Sequence, residues 1–147
     1  MSGGASGTSD VAVKILDSWA LMALFNDEPA ADEVEELLQK AGVGTHKLLM
    51  CVVNWGEIYY SVMRGASAEM AEQKEREIAA MPIELVQVDA DLHLARQAAI
   101  FKATHKISYA DAFAAALAKI RKAELVTGDG EFKTLEGEVK IAWLVNA

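Results

Sequence analysis

The sequence predicts an α/β domain, a three-layer α/β/α arrangement around a central parallel sheet of about five strands. Two observations predict it. Five short apolar runs are spaced along the chain, and helical patterns fill the gaps between them. Strand and helix in alternation favour parallel strands joined by right-handed crossovers, with helices on both faces of the sheet. The 147 residues suit one domain, read as residues 11–147. The opening Met1 to Ser9 is small and polar, so residues 1–10 are read as a flexible tail or cloning remnant outside the fold.

The first strand is expected over Val11 to Leu16 and the second over Lys47 to Val53. The second is almost continuously apolar, as a strand covered on both faces should be. Ile83 to Val88, Glu124 to Thr127 and Val139 to Leu144 supply the other three. Between the first two strands Pro29 opens a helix, with Asp32 and Glu33 near its positive end and Gly42 stopping it. A second helix is expected to begin near Asn54, followed by a solvated segment from Ala66 to Ala80 with Glu72 and Arg76 one turn apart. Asp89 is the expected N-cap of a helix reaching about Thr104. Tyr109, Ala112, Phe113, Ala116, Leu117 and Ile120 form the clearest amphipathic stripe.

Composition narrows the function classes. Hydrophobic residues make up 52%, enough for a sheet with helices packed on it, and 14 basic against 22 acidic residues give a net charge of −8. That balance argues against a nonspecific polyanion binder. It does not exclude a nuclease, because an acidic metal pocket removes negative charge from the surface count. Cys51 is the single cysteine and lies within an apolar run, so it reads as a small buried hydrophobe in a reducing, cytoplasmic setting. No run reaches the ~18–20 apolar residues that span a bilayer.

Four acids carry the chemistry: Asp17, Glu57, Asp111 and Asp129. Each follows an apolar run or lies within a few residues of one, and in an open α/β sheet the crevice beyond the carboxyl ends of the strands is the usual ligand site. Structural alternatives exist for each. Asn54 to Glu57 and Ser108 to Asp111 have the form of capping boxes, and Asp17 and Asp129 have the form of cap or turn residues. On a helical wheel, however, Asp111 points away from the apolar stripe and shares its face with Ala114, Ala115 and Ala118, where close packing is possible. Two carboxylates ~5 Å apart repel by roughly 3 kcal/mol at an effective dielectric near 20. Four together need protonation, a basic partner or a cation, and an oxygen-only donor set selects Mg²⁺ or Mn²⁺ over zinc.

The order Leu-Asp17-Ser, Asn54-x-x-Glu57, Ser108-Tyr-Ala-Asp111-Ala and Thr127-Gly-Asp129 resembles the PIN-domain ribonucleases, and among them the VapC-type toxins of toxin–antitoxin pairs. The resemblance spans about residues 12 to 145. It implies a metal-dependent endoribonuclease acting on RNA, with Asp17, Glu57, Asp111 and Asp129 as the acidic quartet and Asp17 and Asp111 as the foremost direct ligands of Mg²⁺ or Mn²⁺. Thr127 matches the hydroxyl residue that precedes the last aspartate. Asn54 stands where Ser or Thr is common, and Ser18 is a further supporting candidate. The resemblance also implies a VapB-like antitoxin and a homodimer, with helical faces from Trp19 through Phe25 or from Tyr59 through Met63 as contact surfaces.

Two alternatives stand beside it. One is a haloacid-dehalogenase-like phosphatase with Asp17 as nucleophile, although Trp19 occupies the position of that family's second aspartate. The other is a module that binds RNA without cleaving it. Trp19 and Trp55 read as core residues before base-stacking ones, and His46, His93 and His105 lack ligand spacing. Arg64, Lys102, Lys106, Lys119, Arg121 and Lys122 are the candidate phosphate contacts.

Overall fold

In the computed structural model, residues 11–90 and 92–145 are described; the tail expected over residues 1–10 lies outside them. β1 (Ala12–Leu16) leads through α1 (Ser18–Phe25) and α2 (Ala31–Gly42) to β2 (His46–Cys51). Then α3 (Val52–Gly65) and α4 (Ala68–Ala79) precede β3 (Ile83–Val86). After α5 (His93–Thr104) and α6 (Tyr109–Arg121) come β4 (Glu124–Thr127), a 3₁₀ turn over Gly130–Leu135, and β5 (Ile141–Trp143). The five strands form one parallel sheet in the order β3-β2-β1-β4-β5. The expected three-layer α/β/α fold is therefore the observed one.

Alternate residues of each central strand face opposite layers. Ile15, Leu49, Cys51 and Leu125 pack against α5, α6 and the 3₁₀ turn through Phe101, Phe113, Leu117 and Phe132. Leu16, Leu48, Met50 and Val126 pack the other way, against Leu21, Val34, Ile58, Val62 and Ile78 of the first four helices. Cys51 is buried in the first of these cores, as its apolar run predicts. No described helix is long and apolar enough to cross a membrane.

Several boundaries differ from the sequence reading, and the differences have local causes. Lys47 to Val53 is not one strand, because the chain turns into α3 directly after Cys51. Asn54 therefore lies inside α3 and does not cap it, and its side chain is used elsewhere. Asp89 does not cap α5; Leu92 occupies the N-cap position, in the left-handed region at φ 67°, and makes no side-chain cap bond. On α4 the ion pair is Lys74 with Glu77 at 3.2 Å, not Glu72 with Arg76, and the helix buries Ala71 and Ile78. The stripe expected on α6 understates its burial, since every residue from Asp111 to Ala118 is buried. The alanines that share a face with Asp111 let this helix sit between the sheet and its neighbours.

β1 has β2 on one side and β4 on the other, and the chain leaves it in one direction for β2 and later returns on the other side with β4. A crevice opens at such a switch point, beyond the carboxyl ends of the two strands. Asp17 immediately follows β1 and Thr127 ends β4.

Candidate active site

Asp17 leaves β1 in extended conformation and caps α1, its Oδ1 accepting from the Ala20 backbone N–H at 3.0 Å. Its Oδ2 accepts a short hydrogen bond from the Thr127 hydroxyl across the β1/β4 crevice. The same hydroxyl oxygen accepts from the Asp129 N–H at 3.0 Å. One threonine thus fixes two of the four acids relative to each other. Glu57, half-buried on α3, accepts a short bond from the Ser18 hydroxyl at the start of α1. Ser108 caps α6 by accepting from the Asp111 N–H at 3.1 Å, so the capping half of that motif is present, and the Ser108 side chain also hydrogen-bonds the Asp111 carboxylate and opposes the rise of its pKa. Asn54 Nδ2 donates to the Ala110 carbonyl at 3.0 Å and ties α3 to the residue before Asp111. Its Oδ1 is buried and has no hydrogen-bond partner among the described residues.

Among the described residues, Asp111, Asp129 and Glu131 form a carboxylate group, one oxygen of each lying within 4.8 Å of the others. Glu131 was missed by the sequence reading. Asp129 caps the 3₁₀ turn through Oδ1, which accepts from the Glu131 N–H at 3.0 Å, and this turn folds Glu131 back beside it. An acid two residues after a loop aspartate, with a glycine between, was the available signal.

Burial dominates the electrostatics. Asp17 is fully buried, which pushes its carboxyl up to about 8; Asp111 and Asp129 add to the rise, while bonds from Thr127 and Ala20 oppose it. Asp111 is raised to about 7, first by burial and then by Asp129, Glu57 and Glu131. All four expected acids therefore belong to one electrostatic neighbourhood. Among the described residues none of these acids forms an ion pair with Lys, Arg or His. The residues fit a hard divalent cation on three counts: the donors are all carboxylate oxygens, three of them converge, and their repulsion is uncompensated.

The family profile described as PIN domain matches residues 14–138. The chain belongs to the PIN-domain family. The matched segment contains Asp17, Glu57, Asp111, Asp129 and Glu131. No curated protein matches by sequence. Solved structures with the same fold include VapBC2 from Rickettsia felis bound to a DNA fragment from its promoter, at TM-score 0.68 and 17% identity over 90% of this chain and 99% of that one. VapC20 of Mycobacterium tuberculosis, a toxin that cleaves the sarcin–ricin loop, gives 0.67 and 18% over 86% and 97%. A toxin–antitoxin complex from Klebsiella pneumoniae gives 0.67 and 16% over 91% and 99%.

The remaining candidates of this PIN domain sort by place. Lys119 and Lys122 lie with Ala12, Lys14 and Glu124, at the starts of β1 and β4 and so at the end of the sheet opposite the acids. They are not placed to meet a phosphate at the crevice. Lys102 donates to the Ile107 carbonyl at 2.8 Å, and Arg64 lies 5.4 Å from the centre of the Tyr60 ring. His46 is buried against the Leu37 carbonyl at 3.1 Å, and His105 faces Glu138, so both have structural partners. Trp55 stacks on Tyr59 beside the second core. Trp19 packs over Gly128, whose missing side chain makes room for the indole: a Cβ there would lie 2.7 Å from Trp19 Cζ2 and closer still to two other ring carbons.

Proposed function

We propose that this chain is a metal-dependent endoribonuclease and the toxin of a VapBC-type toxin–antitoxin pair. The observation that carries the reading is the uncompensated acid cluster at the β1/β4 switch point. Asp111, Asp129 and Glu131 would hold the cation, with Asp17 and Glu57 around them. Bound Mg²⁺ or Mn²⁺ would supply Lewis-acid polarisation of a phosphoryl oxygen and a lowered pKa for an attacking water. The chain's own residues supply the positioning. Thr127 locks Asp17 to the Asp129 backbone, Ser18 holds Glu57, and Asn54 fastens the start of α6 that delivers Asp111. The phosphatase alternative fares worse, because a nucleophilic Asp17 must be ionised and accessible, whereas this carboxyl is fully buried and both of its oxygens already accept hydrogen bonds.

Purified protein should cut RNA with Mg²⁺ or Mn²⁺ and stop on addition of EDTA. Asp111→Asn keeps the shape and deletes a ligand charge, so cleavage should fall by more than the about 10–100-fold typical of losing a partner behind a metal ligand. Full activity after exhaustive chelation would end the metal reading.

Structures of similar fold from Rickettsia felis and Klebsiella pneumoniae are toxin–antitoxin complexes, which supports a VapB-like partner here. For self-association, α1 is the poorer surface, since Ala20, Leu21 and Ala23 are buried in the core. Tyr60 and Met63 on α3 are each 50% exposed and offer the apolar face for a homodimer. Expression alone should arrest growth, and co-expression with a neighbouring small reading frame should relieve it. Harmless expression of the intact chain would remove the toxin role and leave a stand-alone nuclease.

A further inference from the structure

A cavity of about 230 Å³ opens along α1 and the turn that follows it, lined by Trp19, Met22, Ala23, Asn26 and Glu28. Part of the Trp19 indole rests on Gly128, the residue before Asp129, and the half-buried ring also walls this cavity. An aromatic surface is thereby set one residue from the acid cluster. A base next to a phosphate bound through a cation on those acids would come within reach of it, and stacking on an aromatic side chain is a usual fate of unpaired bases.

The polar groups of the cavity narrow the choice of occupant. Glu28 is exposed and carries negative charge, which repels a phosphate and favours a base over the backbone. Its carboxylate only accepts, through two oxygens side by side, whereas the Asn26 amide can also donate. Guanine alone among the RNA bases presents two adjacent donors, N1–H and N2–H, with the acceptor O6 beside them. Adenine and cytosine each place an acceptor next to their amino group, and uracil flanks its one donor with two acceptors.

Resting on the nuclease reading above, we propose that this cavity is a nucleobase subsite for an unpaired guanine, stacked on Trp19 and held along its Watson–Crick edge by Glu28. Trp19 and Glu28 are then specificity residues for the base beside the cut.

The test is digestion of a single-stranded RNA pool of random sequence with Mn²⁺, reading the bases that flank each cut. Wild type should enrich guanine at one fixed offset by about tenfold, the discrimination of one good bidentate contact. Glu28→Gln, a change on the surface, should bring that enrichment close to background while cutting continues. Trp19→Ala should raise KM by about tenfold with little change in kcat, as loss of one base stack would, and Trp19→Phe should restore it. Should Trp19→Ala fail to fold, Glu28→Gln decides. Cutting with no guanine at a fixed offset, or with the same preference in wild type and Glu28→Gln, overturns the subsite and leaves the nuclease standing. A wild-type protein that cuts nothing with Mn²⁺ removes the nuclease reading and the subsite with it.

Discussion

The two ends of the sheet hold similar side chains in opposite electrostatic states. At the starts of the strands, Lys14 Nζ lies 2.6 Å from Glu124 Oε1 and Lys140 lies 3.5 Å from the other oxygen of the same carboxylate. Lys119 and His105 face Glu138 there in the same way. The hydrogen bond from Lys14 is the chief reason that Glu124 titrates below its ordinary range. At the carboxyl ends, burial and like charges push Asp17 and Asp111 the other way, to about 8 and about 7. A cavity of about 560 Å³ opens at the paired end, more than twice the size of the one beside Trp19. Its charges are largely satisfied by each other. Unmatched charge, rather than cavity size, sets the proposed functional end of this molecule apart.

The largest test of that contrast is the pH dependence of stability without metal. Native Asp17 keeps its proton to about pH 8, whereas the unfolded chain releases it near 3.8. Across that window the native state binds more protons, so stability must fall as pH rises. Below about pH 4 the effect is absent, and above about pH 8 it is complete. Asp111 acts in the same direction over a window that closes near 7. Even ~2 kcal/mol, under half of what the full Asp17 shift would give, lowers Tm by about 4–8 °C in a domain of this size. In EDTA, Tm should therefore drop between pH 5 and pH 8. Asp17→Asn should melt higher than wild type at pH 8, and millimolar Mn²⁺ should flatten the wild-type curve by favouring the ionised acids. A Tm that stays level in EDTA would break the comparison.

A middle-sized effect is expected at Gly128. Alanine there would drive a methyl into the Trp19 ring, and overpacking of this kind costs about 1–3 kcal/mol. The displaced backbone leads straight into Asp129, so cleavage should fall as well. Urea unfolding of Gly128→Ala, Trp19→Ala and the double variant separates the causes. If the glycine substitution costs as much without the indole as with it, their contact is not the reason for the glycine.

Much of this was legible before the fold was known. The alternation of apolar runs and helical patterns specified the sheet, and the place of Asp17 after β1 and Thr127 at the end of β4 followed from it. The start of α3 was placed two residues late, because Asn-x-x-Glu has the form of a cap, whereas the chain turns into the helix directly after Cys51, at Val52. Glu131 was invisible as a member of the acid cluster because its approach to Asp111 depends on a 3₁₀ turn, which carries no periodic pattern. Lys119 and Lys122 were drawn toward the site by charge alone. Their position at the far end of the sheet depends on where α6 ends, at the left-handed Lys122, and not on composition.

The smallest effect is expected at the paired end, where its sign reverses. Glu124 and Lys14 are partly buried, at 27% and 22% side-chain exposure, and a pair of this kind contributes up to about 1 kcal/mol. Because the folded-state pKa of Glu124 is lowered, its contribution is present above the unfolded value of 4.5 and is lost as pH falls through the folded one. Glu124→Gln should therefore destabilise slightly at pH 7 and converge with wild type near pH 3, opposite in sense to Asp17→Asn. Cleavage with Mn²⁺ should be unchanged, because Lys14 and Glu124 pair two residues before Leu16 and Val126 in the strand register, at the other end of the sheet from the acids. A large loss of activity in Glu124→Gln, with Tm intact, would mean that the two ends are coupled through β1 and β4, and the division between a structural and a functional end would no longer hold.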